Sequence, residues 1–276
     1  MATSTILTST NMTNAKRRRF DKGEVVISPV TEADLLSLAE GYYASFPDSW
    51  FDKIEPPHLR TTTSAMTPPQ RFAERMKPWL LEPHTRWMKA TLALTSPEFD
   101  ARNPKKVIGH AGWLLPERTS TQILNFWRKD AARKLAWHER MSWTSDFEEE
   151  LWRGVDEFEY NSEEKGFLMW DNIREGLLGG VGHWHLAPLW VLPEHQGRGV
   201  ASMLLQDAIA IADQSDPPPP MYLEAMPAAR PIYAHFGYEG VKGPGEKAVM
   251  IRNPPKGVET MEEEEWRERI GGSFKL

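Results

Sequence analysis

Cysteine is absent from the 276 residues of this sequence, and that absence excludes a disulfide framework, a zinc site built on thiolates and a thiol nucleophile. Long apolar runs are also absent, because no stretch approaches the roughly 20 residues that cross a bilayer. Basic residues are outnumbered, since 33 Lys and Arg stand against 39 Asp and Glu. These absences argue against a membrane protein and against a nucleic-acid-binding face. The histidines lack acidic partners at ligand spacing, so no metal site is predicted.

The two ends of the chain differ in composition from the rest. Residues 1–22 are rich in Ser and Thr and contain a basic cluster at 16–19. This composition predicts a disordered tail, with a weak organelle or nuclear signal as the alternative. Residues 255–276 carry an acidic run and are predicted to form a second tail. The part between, 23–254, is predicted to be one domain of a cytoplasmic protein, with the nucleus as the alternative location.

The spacing of apolar residues predicts an α/β domain with a helical insertion. A strand at 24–30 is followed by two helical segments, and the second of these must be interrupted by Pro78. Residues 116–182 are polar, charged and helical in pattern, and they hold five tryptophans. A helix is expected to begin near Gly199. The remaining strands are predicted at 87–94, 106–115, 183–192, 221–226, 238–241 and 248–252.

The most informative stretch, residues 190–202, reads WVLPEHQGRGVAS. A strand enters a turn that contains Gly197 and Gly199, and the turn begins a helix. Free backbone N–H groups and the helix dipole make such a helix start an anion site. Glycine lets the backbone approach the anion closely, and Arg198 adds a positive charge. The turn is therefore predicted to bind a phosphate or pyrophosphate.

Two familiar phosphate-binding patterns do not fit this turn. A Gly-Lys-Ser/Thr ending is missing, and Ser202 stands where a dinucleotide fingerprint needs its third glycine. The spacing Gln196-x-x-Gly199-x-Ala201 instead resembles the Gln/Arg-x-x-Gly-x-Gly/Ala signature of GNAT acetyltransferases. The order of elements from 189 to 241 is similar to the second half of that fold, and the whole resembles fungal GNAT proteins of unassigned substrate. The anchors of this resemblance are Tyr222-Leu223-Glu224-Ala225, Ile232-Tyr233 and Phe236-Gly237-Tyr238.

The resemblance implies a mixed, mostly antiparallel sheet flanked by helices, with the insertion between the third and fourth strands. It also implies acetyl-CoA as co-substrate. The strand with Trp190 and Val191 would pair with the pantetheine arm of the cofactor. The backbone of the following turn would hold the pyrophosphate, and its residues are Gln196, Gly197, Arg198, Gly199, Val200, Ala201 and Ser202.

The resemblance further implies catalytic roles. Tyr233 matches the family tyrosine that protonates the departing CoA thiolate. His185 keeps the spacing of a strand histidine that acts as general base in arylalkylamine acetyltransferases, and His183 and Glu224 are alternatives. Met226 departs from the family, where Ser or Asn is common at this position.

The predicted function is transfer of an acetyl group to a primary amine, by direct attack in a ternary complex. A non-catalytic acyl-CoA-binding or sensor protein is one alternative, and a transferase for a longer acyl-CoA is another. The predicted partners are acetyl-CoA and an amine, with no nucleic acid or membrane, and the predicted oligomeric state is a monomer or homodimer.

Overall fold

The computed structural model describes residues 18–60, 64–116, 125, 128–157, 162–164 and 166–271. Eight strands form its sheet: β1 (Val25–Pro29), β2 (Thr85–Leu92), β3 (Val107–Leu114), β4 (Trp184–Val191), β5 (Met221–Glu224), β6 (Glu239–Val241), β7 (Val249–Arg252) and β8 (Thr260–Met261). Their spatial order is β1-β2-β3-β4-β5-β7-β6-β8. Every neighbouring pair is antiparallel except β4 and β5, which are parallel. The predicted mixed, mostly antiparallel sheet is confirmed.

Ten α-helices surround the sheet in the described part of the chain: α1 (Leu35–Ser45), α2 (Asp48–Ile54), α3 (Pro68–Met76), α4 (Lys129–Lys134), α5 (Trp137–Arg140), α6 (Ser145–Leu151), α7 (Phe167–Leu178), α8 (Val200–Ala212), α9 (Arg230–His235) and α10 (Glu263–Arg269). Among them, no helix is long and apolar enough to cross a membrane. Thr31 forms a capping box with Asp34 ahead of α1. As predicted, Pro78 interrupts the second helical segment, because α3 ends at Met76 and a 3-10 helix continues from Lys77 to Leu81.

Alternation along β4 divides the core between the two faces of the sheet. Trp184, Leu186 and Val191 face one side, where they pack with α8 and α9. Ala187 and Trp190 face the other side, where they pack with α1, α3 and the insertion. The insertion is helical as predicted, since α4 to α7 lie between β3 and β4. Its tryptophans are mostly core residues, and Trp137 stacks edge-on against Trp79 at 4.7 Å.

Packed structure extends into both of the segments that were predicted to be tails. Trp266 of α10 is buried, and the guanidinium of Arg230 lies 3.9 Å from its ring centroid. Glu263, in the acidic run, accepts a hydrogen bond of 3.0 Å from Arg230. The acidic run was predicted to belong to a tail because charged residues dominate its composition. The residues that it contacts lie on other elements, so its own sequence does not indicate them. Phe20, at the other end, is 7% exposed. Residues 1–17 and 272–276 lie outside the described part.

Candidate active site

The only parallel strand pair in the described sheet comes apart half-way along β4. Pairing between β4 and β5 joins Trp184 to Met221, His185 to Tyr222 and Leu186 to Leu223. β4 then continues to Val191, bonded to β3 on its other edge. Pro188 lies in this stretch and has no N–H to donate to a neighbouring strand. Over 187–191, therefore, the edge of β4 that faces β5 is available to an extended ligand.

The predicted phosphate-binding turn lies directly beyond this edge. Gly197 and Gly199 have φ angles of +71° and +95°, which only glycine adopts without strain. Gly199 is the N-cap of α8, so the amides of Val200, Ala201 and Ser202 have no partner within the helix. Gly199 has no side chain that could cap them. Gln196 braces the turn, because its side-chain amide donates to the Val191 carbonyl at 3.0 Å.

The Arg198 side chain is engaged away from this anion site. Its guanidinium makes two hydrogen bonds to Glu98, at 2.7 and 2.5 Å, and a third to the Arg18 carbonyl at 2.8 Å. The guanidinium carbon also lies 3.8 Å from the ring centroid of Phe20. The expectation that the Arg198 charge serves the ligand is therefore not met by its side chain, although its backbone remains part of the turn.

A different arginine approaches the turn. Residues Arg18, Arg19 and Phe20 form a segment, here called the N-terminal clamp, whose Phe20 amide donates to the Arg198 carbonyl at 3.2 Å. A Cβ atom built on Gly199 would lie 3.3 Å from Nη2 of Arg19. The Arg19 side chain is exposed, and no carboxylate within the described ranges is paired with it. The clamp also covers His195, which is buried.

The two β4 residues predicted to hold the pantetheine arm have side chains turned into the two cores. The Trp190 ring packs so closely on α1 that a Cβ on Gly41 would lie 2.1 Å from it. Val191 packs on the opposite face with Val200. Neither side chain lies along the edge of β4 that faces β5, and strand-like pairing would use only backbone groups there.

Two of the predicted catalytic residues are brought together at the start of this opening. His185 on β4 is 0% exposed, and its Nε2 lies 3.2 Å from Oε2 of Glu224 at the end of β5. The other carboxylate oxygen, Oε1, is buried with no hydrogen-bond partner in the part of the chain that the structure describes. His183 precedes β4, and its Nδ1 lies 2.7 Å from the Val181 carbonyl, so it is not part of this pair.

A third member of the cluster comes from the insertion and was missed by the sequence analysis. Nη1 of Arg174, on α7, lies 3.2 Å from Nδ1 and 3.3 Å from Nε2 of His185. Its Nη2 donates to Asp171 at 2.6 Å. Asp171 also accepts hydrogen bonds from Arg128, at 2.7 Å, and from the Asn125 backbone, at 2.9 Å. Asp171 and Arg174 are three residues apart on one helix face, so the charged pair is visible in the sequence. The contact of Arg174 with His185 is not.

Burial and these neighbours set the charge states of the cluster. Burial lowers the pKa of His185, Arg174 lowers it further, and Glu224 acts in the opposite direction. Burial acts to raise the pKa of Glu224, but His185 and Arg174 outweigh it and hold this pKa below its usual value. At neutral pH the cluster therefore contains a neutral imidazole and an ionised carboxylate. No group of acidic and histidine side chains within the described residues is arranged to hold a metal ion.

Tyr233 lies on α9, in the same buried cluster as Val191, Val200 and Ala225. Burial raises its pKa above the ordinary value for tyrosine. The hydroxyl therefore keeps its proton at neutral pH and can act only as a proton donor there, not as a base.

Residues 144–252 match the family model described as "Acetyltransferase (GNAT) domain". This segment is a GNAT acetyltransferase domain. It contains β4, the glycine turn and β5, and the match supports an acyltransferase, as the sequence predicted. None of the curated proteins is significantly similar to the chain in sequence.

Solved structures similar to this GNAT protein come from several organisms. An acetyltransferase from Thermus thermophilus is 14% identical, with 84% of this chain and 97% of that chain covered and a TM-score of 0.43. A protein from Corynebacterium glutamicum described as histone acetyltransferase HPA2 and related acetyltransferase is 15% identical, with 84% and 97% covered and a TM-score of 0.45. A GNAT family acetyltransferase from Brucella melitensis, solved with acetyl-CoA, is 12% identical, with 86% and 94% covered and a TM-score of 0.39.

Proposed function

We propose that this GNAT protein transfers an acetyl group from acetyl-CoA to a primary amine, by direct attack in a ternary complex. The observation that carries the proposal is the continuity of the open β4 edge with the glycine turn. An extended arm with a pyrophosphate at one end needs a strand edge to pair with and free amides to receive its charge. Both are present here, in that order along the chain.

The cofactor would lie along residues 190–202. Its arm would pair with the backbone of Trp190 and Val191. Its pyrophosphate would accept hydrogen bonds from the backbone of the turn residues Gln196, Gly197, Arg198, Gly199, Val200, Ala201 and Ser202. Arg19, rather than the Arg198 side chain, would supply the positive charge nearest to the phosphates.

The acceptor amine would enter beside Glu224. An amine arrives at neutral pH as an ammonium ion, and Oε1 of Glu224 is the carboxylate oxygen that accepts no hydrogen bond from the described residues, with Nη1 of Arg174 at 3.9 Å from it. Glu224 would take the proton, and the amine nitrogen would attack the thioester carbonyl carbon. The C–S bond then breaks, the thiolate takes the proton of the Tyr233 hydroxyl, and the second proton that the amine nitrogen loses on forming the amide restores the phenol. Although the sequence favoured His185 as the base, both of its ring nitrogens have protein partners, so a supporting role fits it better.

Replacement of Gly197 by Glu is expected to weaken acetyl-CoA binding by at least about tenfold, or roughly 1.4 kcal/mol. A side chain at φ +71° strains the turn, and its carboxylate repels the pyrophosphate. Gly257→Glu is the matched control, since Gly257 has φ +98° and open space around it, as Gly197 has. Calorimetric titration of both variants and the wild type with acetyl-CoA measures the effect.

Equal weakening in the two glycine variants would mean that backbone strain alone is responsible, and no binding by the wild type would remove the cofactor assignment. A screen of an amine library with a free-thiol readout then tests transfer. Tight binding without turnover of any amine would favour an acyl-CoA-binding or sensor protein, and turnover only with longer acyl chains would favour a different donor.

Arg19→Gln is expected to weaken acetyl-CoA binding by about fivefold at low salt, or roughly 1 kcal/mol. The effect should shrink as salt is added, because an exposed charge is screened. Lys22→Gln removes a charge of the same sign from an exposed position two residues after the clamp, and it should leave the Kd for acetyl-CoA unchanged. Titration of both variants at two salt concentrations would contradict the assignment if Arg19→Gln behaved like Lys22→Gln.

A further inference from the structure

We propose that Arg174, carried by the insertion, is a positioning residue that fixes His185 and Glu224 in the geometry acetyl transfer requires. This inference rests on the proposed function, but it concerns residues outside the glycine turn. It makes the insertion a part of the active site.

The first step is the rigidity of Arg174 itself. Its side chain is 2% exposed, and Asp171 holds Nη2 at 2.6 Å. Asp171 is held in turn by the guanidinium of Arg128 and by the backbone amide of Asn125. The guanidinium carbon of Arg174 also lies 5.7 Å from the ring centroid of Tyr222 on β5. A side chain tied down in this way can impose a geometry on its neighbours.

The second step is the direction of the hydrogen bonds. A guanidinium is always protonated and only donates, so the nitrogen of His185 that receives it must have a free lone pair. The neutral ring carries a single proton, and a carboxylate only accepts. Nε2–H must therefore donate to Oε2 of Glu224, while Nδ1 accepts from Arg174. The arrangement selects one tautomer of His185 and one orientation of the Glu224 carboxylate, with Oε2 toward His185 and Oε1 at 3.9 Å from Nη1 of Arg174.

The third step is the charge around His185. The titratable and charged groups that face it are Arg174 and Asp171 on α7, and Glu224 and Tyr222 on β5, while Arg128 stands behind Asp171. Without Arg174 the imidazole would lie near two carboxylates and without its nearest cation. His185 would then gain a proton more readily. A protonated His185 would form an ion pair with Glu224, and Glu224 in that pair would be a poorer base than it is beside a neutral imidazole.

The test is a titration of the ring nitrogens by NMR on histidine labelled with ¹⁵N, with the His185 signals assigned from a His185→Asn variant. Full-length wild type is expected to show neutral His185 with its proton on Nε2 at pH 7. Arg174→Gln is expected to raise the pKa of His185 by about one unit or more and to disturb the tautomer. Arg174→Lys keeps the charge and should restore most of the wild-type behaviour.

Arg230→Gln is the matched control, because Arg230 is also fully buried and ion-paired but lies on α9 beside α10. An unchanged His185 titration in a folded Arg174→Gln protein, or the same change in Arg230→Gln, would overturn the proposal. The NMR result does not depend on acetyl-CoA, so it stays interpretable if the proposed function fails. With an accepted amine, the acid limb of kcat/KM should also move to higher pH in Arg174→Gln, with kcat/KM at pH 7 about tenfold lower.

Discussion

Replacing Glu224 by glutamine is expected to lower kcat/KM by about a hundredfold or more, while acetyl-CoA binding stays within about twofold. An amide cannot take a proton from the incoming ammonium ion. It does keep the shape of the carboxylate and an oxygen that can accept the hydrogen bond from Nε2 of His185. The substitution therefore removes the proposed base with little change in packing. Steady-state rates with an amine found by the library screen measure the effect.

Glu32→Gln is a suitable control for this substitution, since the Glu32 side chain is 73% exposed and should leave the rate unchanged. Near-wild-type turnover in Glu224→Gln would rule out a proton-accepting role for this residue and return His185 to consideration. A loss of acetyl-CoA affinity that matches the loss of rate would indicate a binding role instead, because an interaction made only in the transition state changes kcat and kcat/KM together.

Asp171→Asn is expected to lower the free energy of unfolding by about 3 kcal/mol or more. The substitution leaves Arg128 and Arg174 buried with one countercharge fewer between them. Breaking one member of a buried ion cluster costs more than the pair contributed, because the remaining charge is not solvated. Denaturant unfolding at pH 7, followed by far-ultraviolet circular dichroism, measures the change in midpoint.

Asp100→Asn gives the comparison, because its partner Arg102 is 93% exposed. An exposed pair is screened by solvent and contributes little to stability, so this variant should unfold close to the wild type. If Asp171→Asn were equally mild, the network would be too loosely held to position Arg174, which would contradict a positioning role for this residue.

Much of the second half of the fold could be predicted from the sequence because its signals are local. Alternating apolar residues gave strand limits close to those of β4, β5 and β7, and two positive-φ glycines identify the turn before α8. Helical periodicity was less reliable in the insertion. The pattern of residues 116–182 predicts helices but not the break at Ala136, which lies in the left-handed region at φ +53° and separates α4 from α5.

The parts that sequence reasoning missed depend on contacts between distant residues. Arg198 beside two glycines suggests a phosphate ligand, but its partner Glu98 lies 100 positions away. The pairing of His185 with Glu224 requires β4 and β5 to be neighbours, which the resemblance implied. The arrival of Arg174 requires the packing of α7 against them, and no local pattern encodes that.

The N-terminal clamp can pack in place only after the chain has been synthesised as far as Arg198. Phe20 and Arg198 are joined by backbone and ring contacts across most of the chain. At about 5–20 residues per second, a ribosome adds Arg198 roughly 9–36 s after Phe20. During that interval the N-terminal clamp has no glycine turn to pack against. Contacts between residues far apart in sequence also form slowly. The proposed phosphate site is therefore completed late in biogenesis, when the N-terminal clamp packs against a turn that is synthesised long after it.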